Sequence, residues 1–227
     1  MAATASPNGL IPKNLIGGGP YQGGTLREYH VKSNVGTAIY NGQLVQLSTA
    51  GLPAGVTSTP VAIDLASDHS SSEDTTDATA GIMGVMQGCS YISSEGQLLF
   101  KNYLPANLIT GGATDVKILV NDDPNTVFQI QGSAALGNFN SGTDGSGFAG
   151  AVGMNAALTT LGDGNTATGK SGMALLVGSN GASLAATSTL AMRIIGVVPG
   201  TESDNYPEFL VKYNVGVHSY TNSLGLA

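Results

Sequence analysis

The sequence predicts an all-β protein: an antiparallel β-sandwich or barrel of about ten short strands, with long Gly/Ser-rich loops and extended N- and C-terminal arms. Three observations carry that prediction. Only 10% of the residues are charged, against about 25% in a typical soluble domain, and 33 of 227 are glycine, about twice the usual share of roughly 7%. Apolar residues fall in short runs separated by Gly, Pro, Asn and Asp, which is the punctuation of strands and turns. No apolar repeat at helical spacing lasts beyond about two turns.

Residues 1–27 hold "NGL", "GGGP" and "GG", with Leu10, Ile11, Leu15 and Ile16 isolated between them. This reads as an extended arm without a core of its own. Its apolar residues Ile11, Leu15, Ile16 and Tyr21 are therefore the candidates for contact with a partner or a neighbouring copy. Deleting residues 2–20 is expected to abolish that contact and leave the rest folded.

Residues 28–217 read as one β-rich domain. "EYHVK" (28–32) alternates, and "TAIYNGQLVQL" (37–47) places Asn41-Gly42 between two strand-like runs, the strongest short hairpin signal. "TPVAIDLA" (59–66) is a further strand, and it breaks into a polar, acidic surface insertion at 67–80. Strands resume with "GIMGVMQGCSYI" (81–92), "GQLLFKNYL" (96–104), "DVKILVND" (115–122) and "TVFQIQG" (126–132). The last two are joined by the turn composition Asp123-Pro124-Asn125. A second surface insertion, Gly/Ser/Asn-rich, spans 133–148. "AVGMNAAL" (151–158), "SGMALLVG" (171–178), "STLAMRIIGVV" (188–198) and "PEFLVKYNVGVH" (207–218) complete the strands. "ANLI" (106–109) and "MNAALTTL" (154–161) have room for a single helical turn. Residues 218–227 read as an extended tail.

The balance of charge narrows the function. Fifteen acidic residues against eight cations give a net charge of −7, and the cations are scattered singly from Lys13 to Lys212. A nucleic-acid binder needs several cations on one face, so no direct nucleic-acid partner is predicted. No apolar run approaches the roughly 18 residues of a membrane span, and the start lacks the charged-then-apolar order of a signal segment. Cys89 is the single cysteine, which excludes an intrachain disulfide, and it reads as a buried thiol in a strand.

Chemistry is scarce. "GDGNTATGKSGM" (162–173) matches the phosphate-loop pattern at Gly164, Gly169, Lys170 and Ser171. Such a loop works only between a buried strand and a long helix, whose N–H groups surround the phosphates. Here about six residues separate Ser171 from the next glycine turn, too few for that helix, so the match is read as a turn and no nucleotide cofactor is predicted. In the acidic insertion, Asp68, Glu73, Asp74 and Asp77 lack the alternating oxygens, central Gly and closing Glu of a calcium loop, so no metal is predicted. His30, His69 and His218 have no spacing that joins them to a nucleophile. The neighbouring acid pairs Glu73-Asp74 and Asp122-Asp123 read as solvated turns. No catalytic residue is predicted, and the chain reads as a non-enzyme.

Six stretches occur in an order that resembles a known family: "AGIMGVMQG", "VNDDPNTVFQIQG", "VGMNAAL", "TGKSGMALL", "STLAMRIIGVV" and "EFLVKYNVGVHSY". They are similar to the head decoration, or capsid cement, proteins of tailed bacteriophages, over roughly residues 18–220. The family carries a T-G-[KR]-S-G turn where this chain has "TGKSG". The resemblance implies a β-rich virion protein, made in the host cytoplasm, that sits on the outer surface of an icosahedral capsid. It implies the major capsid protein and further copies of itself, as a homotrimer, as partners. The alternative is a tail, fibre or head-protruding host-adhesion component, whose Gly-rich loops would meet a receptor or glycan. The chain departs from the family in its acidic loop (67–78) and its Gly-rich excursion (133–148).

Overall fold

Fifteen strands form among the described residues of the computed structural model, which are 5–20, 26–33, 35–47, 63–65, 82–136, 149–161, 164–178, 183–188, 190–216 and 218–221. Five make one sheet, in the order β1 (Ile11–Leu15), β10 (Thr126–Gln131), β15 (Glu208–Tyr213), β14 (Met192–Val197) and β11 (Asn155–Ala156). A six-stranded sheet runs β2 (Leu26–His30), β9 (Thr114–Asn121), β6 (Ile82–Ile92), β4 (Leu44–Leu47) and β5 (Ile63–Leu65), with β7 (Leu98–Lys101) also paired to β6. Two small ladders join β12 (Leu158–Thr160) to β13 (Met173–Leu175), and β3 (Ile39–Tyr40) to β8 (Tyr103–Leu104). Every one of these strand pairs is antiparallel. The all-β antiparallel class predicted from the sequence is the class of the structure, with shorter and more numerous strands than the predicted ten or so.

The two large sheets face each other across one apolar core. Phe128, Ile130, Met192, Ile194, Phe209, Val211 and Tyr213 line it from the five-stranded sheet, and Leu44, Ile82 and Val85 from the six-stranded sheet. Phe128 meets Tyr213 edge to face at 5.2 Å between ring centroids. A second core covers the opposite face of the six-stranded sheet, with Tyr29, Val45, Met83, Met86, Cys89, Ile118 and Val120 under Val31, Val35, Ile39 and Leu104. Each fully buried large apolar side chain contributes about 1.5–3 kcal/mol.

Strand β6 lies between both cores, which is why "IMGVMQGCSYI" is almost continuously apolar instead of alternating. Ile82 and Val85 belong to the first core, Met83 and Met86 to the second. That order breaks strict alternation, and the break coincides with an irregular register: Val45 pairs with Gly84 and Gln46 with Ile82. At Gly84 a Cβ would stand 2.2 Å from the Asn121 carbonyl oxygen, so β6 and β9 approach as closely as they do only because position 84 has no side chain.

Four sequence expectations are corrected here. Residues 10–15 do not stand off as an arm: β1 pairs with β10 in register Ile11↔Gln129 to Leu15↔Thr126, and Leu10 is completely buried in the inter-sheet core. The pattern missed this because the strand that β1 pairs with lies more than 100 residues further on. Asn41-Gly42 does not close a hairpin between β3 and β4, because β3 pairs with β8 and β4 with β6 and β5. The turn forms, with Gln43 N–H on the Tyr40 carbonyl, but it hands the chain from one ladder to another. "MNAALTTL" is not a helical turn but β11 and β12, whose edges bond to 185 and to β13. The tail is packed at its start: His218 is fully buried beside Ile82, and Ser219 N–H donates to the Ile82 carbonyl.

Candidate functional site

The glycine-rich loop at 164–171 folds as a tight turn, with Asn165 N–H donating to the Lys170 carbonyl. Its Asn165 Oδ1 accepts the Ala167 and Thr168 N–H groups, the Asn165 carbonyl accepts Gly169 N–H, and Thr168 Oγ1 accepts Lys170 N–H. Ser171 N–H donates to the Asn41 carbonyl, and its hydroxyl accepts Met173 N–H. The backbone donors that a phosphate loop directs at its ligand are thus engaged by the protein itself from 167 to 171. After Ser171 the chain enters β13 directly. Gly164 lies flat on Tyr40, where a Cβ would meet the ring at 2.2 Å, and Tyr40 stacks on Tyr103 at 5.4 Å. The loop packs against the β3–β8 ladder, with Lys170 pointing to solvent.

The densest polar constellation was not visible in the sequence. Strand β2 supplies Arg27 and Tyr29, the crossing from β9 to β10 supplies Asn121 and Asp122, and the C-terminal strap supplies His218 and Tyr220. Tyr29 donates its hydroxyl proton to Asp122 Oδ2 at 2.7 Å, and Arg27 Nε lies 3.3 Å from the same oxygen. Tyr220 completes the group, with its hydroxyl 3.3 Å from Asp122 Oδ2 and 3.0 Å from Arg27 Nη1. Burial, with these hydroxyl and carboxylate contacts, pushes the Tyr29 phenol well above its ordinary range. Asp122 is itself buried, which corrects the reading of Asp122-Asp123 as a solvated turn; only Asp123 behaves as one, its Oδ1 accepting Asn125 N–H.

His218 is buried beneath this group, tilted against Tyr213 at 4.8 Å and Tyr220 at 5.6 Å. Tyr220 N–H donates to His218 Nδ1, so the ring proton resides on Nε2. Desolvation pulls the imidazole down to about 4, against a smaller opposing pull from Asp122. Tyr213 donates to the Asn121 carbonyl, which ties β15 to the end of β9. The cluster clamps the C-terminal strap to β2 and to the crossing from β9 to β10. Its acid is paired, its histidine is enclosed, and Tyr220 and Arg27 form its exposed rim.

The other predicted residues separate. Ile11 and Leu15 are half-buried in β1, Ile16 is exposed at its end, and Tyr21 lies outside the described residues. Asp68, His69, Glu73, Asp74 and Asp77 also lie outside them, as does 137–148 of the second insertion. His30 is half-buried at the end of β2. Cys89 is a buried thiol in a strand, as predicted, donating to the Tyr103 carbonyl and raised to about 11 by burial. Among the described residues no three His, Cys, Asp or Glu side chains gather as metal ligands, and no helix is long and apolar enough to cross a membrane. The two most exposed large apolar side chains among the described residues, Leu98 at 60% and Phe100 at 73%, both lie on β7. No family model matches the chain, and no curated protein or solved structure does.

Proposed function

We propose that this chain is a structural virion protein that binds the outer surface of an icosahedral phage capsid and stabilises it by bridging major capsid protein subunits. The observation that carries the reading is where the family-like stretches fall. "AGIMGVMQG" falls on β6, "VNDDPNTVFQIQG" runs from β9 into β10, "STLAMRIIGVV" covers β14, and "EFLVKYNVGVHSY" is β15 with the clamp residues His218 and Tyr220. These are the central strands of both sheets and their junction, so the likeness extends over a whole two-sheet body. Contacts with the shell belong to exposed positions outside those strands, among which Ile16 remains from the predicted set.

Such a protein acts without chemistry. It binds the assembled lattice and not the dissociated subunits, so each occupied site adds its binding free energy to the assembled state. Many modest sites repeated by symmetry give a large total. A low-charge, hydroxyl-rich β domain suits extended, strand-adding contacts with a partner. Copies of the chain assemble with one another on the shell as a homotrimer, and the protein made in the host cytoplasm ends on the capsid exterior.

Copy number in purified particles tests the reading. A small whole-number ratio to the major capsid protein is expected. A few copies per particle would move the chain to the tail, a fibre or a vertex adhesin, and absence from particles would overturn the proposal.

A further inference from the structure

We infer that β7 is a self-complementary sheet edge, through which two copies of this chain pair antiparallel about a two-fold axis centred on Leu99. The inference does not rest on the capsid reading. In the β6–β7 hairpin, Ser93 N–H donates to the Gln97 carbonyl, and the register runs Ile92↔Leu98, Tyr91↔Leu99, Ser90↔Phe100, Cys89↔Lys101. An antiparallel ladder alternates bonded and non-bonded pairs, so Leu99 and Lys101 bond to β6. Leu98 and Phe100 then turn their N–H and C=O groups toward the side on which no strand pairs among the described residues. Their side chains stand together on the exposed face, while Leu99 packs on the second core.

Sheet edges are ordinarily blunted by charge, proline or a bulge. Strand β1 has all three devices, with Pro12, Lys13 and a register shift between Pro12 and Asn14. Strand β2 carries Arg27 and Glu28 exposed. Strand β7, "LLFK", has no proline and a regular register; its one charge, Lys101, stands at its end over the Tyr91 and Tyr103 rings, and Leu98 and Phe100 are presented outward.

The occupant follows from the sequence of the edge itself. In a two-fold antiparallel pair centred on Leu99, Leu98 of one copy lies beside Phe100 of the other, twice. The outward N–H and C=O groups of these residues then form the bonded pairs. Lys101 falls opposite Gln97 of the second copy, beside the 93–96 turn that carries its Glu95. Both Glu95 and Lys101 are exposed, so the hairpin carries the opposite charges that its own two-fold mate requires. The contact is short of the roughly 800 Å² per partner of a stable dimer, so it is a weak pair in dilute solution. An isologous contact cannot close a three-fold ring. In a trimeric assembly it would therefore link one trimer to the next.

Disulfide trapping in the full-length soluble protein tests pairing and register together. Leu98→Cys and Phe100→Cys are each oxidised alone and as an equimolar mixture at high protein concentration, with wild type, which keeps buried Cys89, as background. Of the pairings these two variants allow, only position 98 of one copy with position 100 of the other comes within disulfide range in this register. The mixture should give several-fold more cross-linked dimer than either variant alone, and adding Phe100→Lys to the Leu98→Cys chain should abolish it. Equal yields in all three samples, or dominant homodimer of one variant, would overturn the inference. So would a cross-link to another virion protein in place of the second copy when the variants are bound to particles. Far-UV circular dichroism of each variant confirms that the exposed substitutions leave the fold intact.

Discussion

His218 shows how far a residue's role departs from its place in the chain. In the sequence it opens a tail; in the fold it is enclosed between Tyr213, Tyr220 and Ile82, with Asp122 and Asp123 the nearest charges. Enclosure favours the neutral ring, so its folded value lies near 4 against 6.5 for a free imidazole. Between those values the unfolded chain binds the extra proton, and stability therefore rises with pH across this window. The contribution is complete above about pH 6.5 and is lost as pH falls toward 4, on the order of 3 kcal/mol in all. Urea midpoints measured from pH 8 to pH 4.5 should fall more steeply for wild type than for His218→Gln; parallel curves would refute the assignment. Nothing near 218 in the sequence announces this, because the enclosing groups come from residues 82, 122 and 213. Cys89 was legible by contrast, since the apolar run around it already implied a buried strand.

At the scale of elements, the sequence showed where strands lie better than what they pair with. Asn41-Gly42 and Asp123-Pro124-Asn125 both make turns, yet each transfers the chain between ladders instead of closing a hairpin. Turn chemistry is set by a few adjacent residues, whereas pairing is set by which distant strand completes the ladder. The first strand makes the point most sharply. Deleting residues 2–20 removes the β1 ladder and the buried Leu10, so the truncated chain should be destabilised instead of merely losing a contact. Leu10→Ala alone should cost about 2–5 kcal/mol in chemical denaturation. Unchanged stability of the truncated chain would restore the arm reading. The phosphate-loop pattern was read from local context: about six residues before the next glycine turn leave no room for the helix such a loop needs, and the chain after Ser171 enters β13.

Across the whole molecule, the first core joins both large sheets, and the Tyr213 hydroxyl, donating to the Asn121 carbonyl, ties β15 of one sheet to β9 of the other. The sheets should therefore unfold together. Phe128→Ala, which empties the centre of the shared core, is expected to lower stability by about 3–5 kcal/mol. Near-UV and far-UV circular dichroism should shift to one common midpoint; separated midpoints would show that each sheet stands alone. By itself the sequence determined the class of the molecule, because low charge, short apolar runs and turn residues act between near neighbours. Only the tertiary structure decided that β9 and β10 part into different sheets, that β1 belongs to the body, and that Arg27, Asp122 and His218 meet. Those outcomes depend on which distant apolar faces close on one another, and that choice is made by the packing of the whole chain.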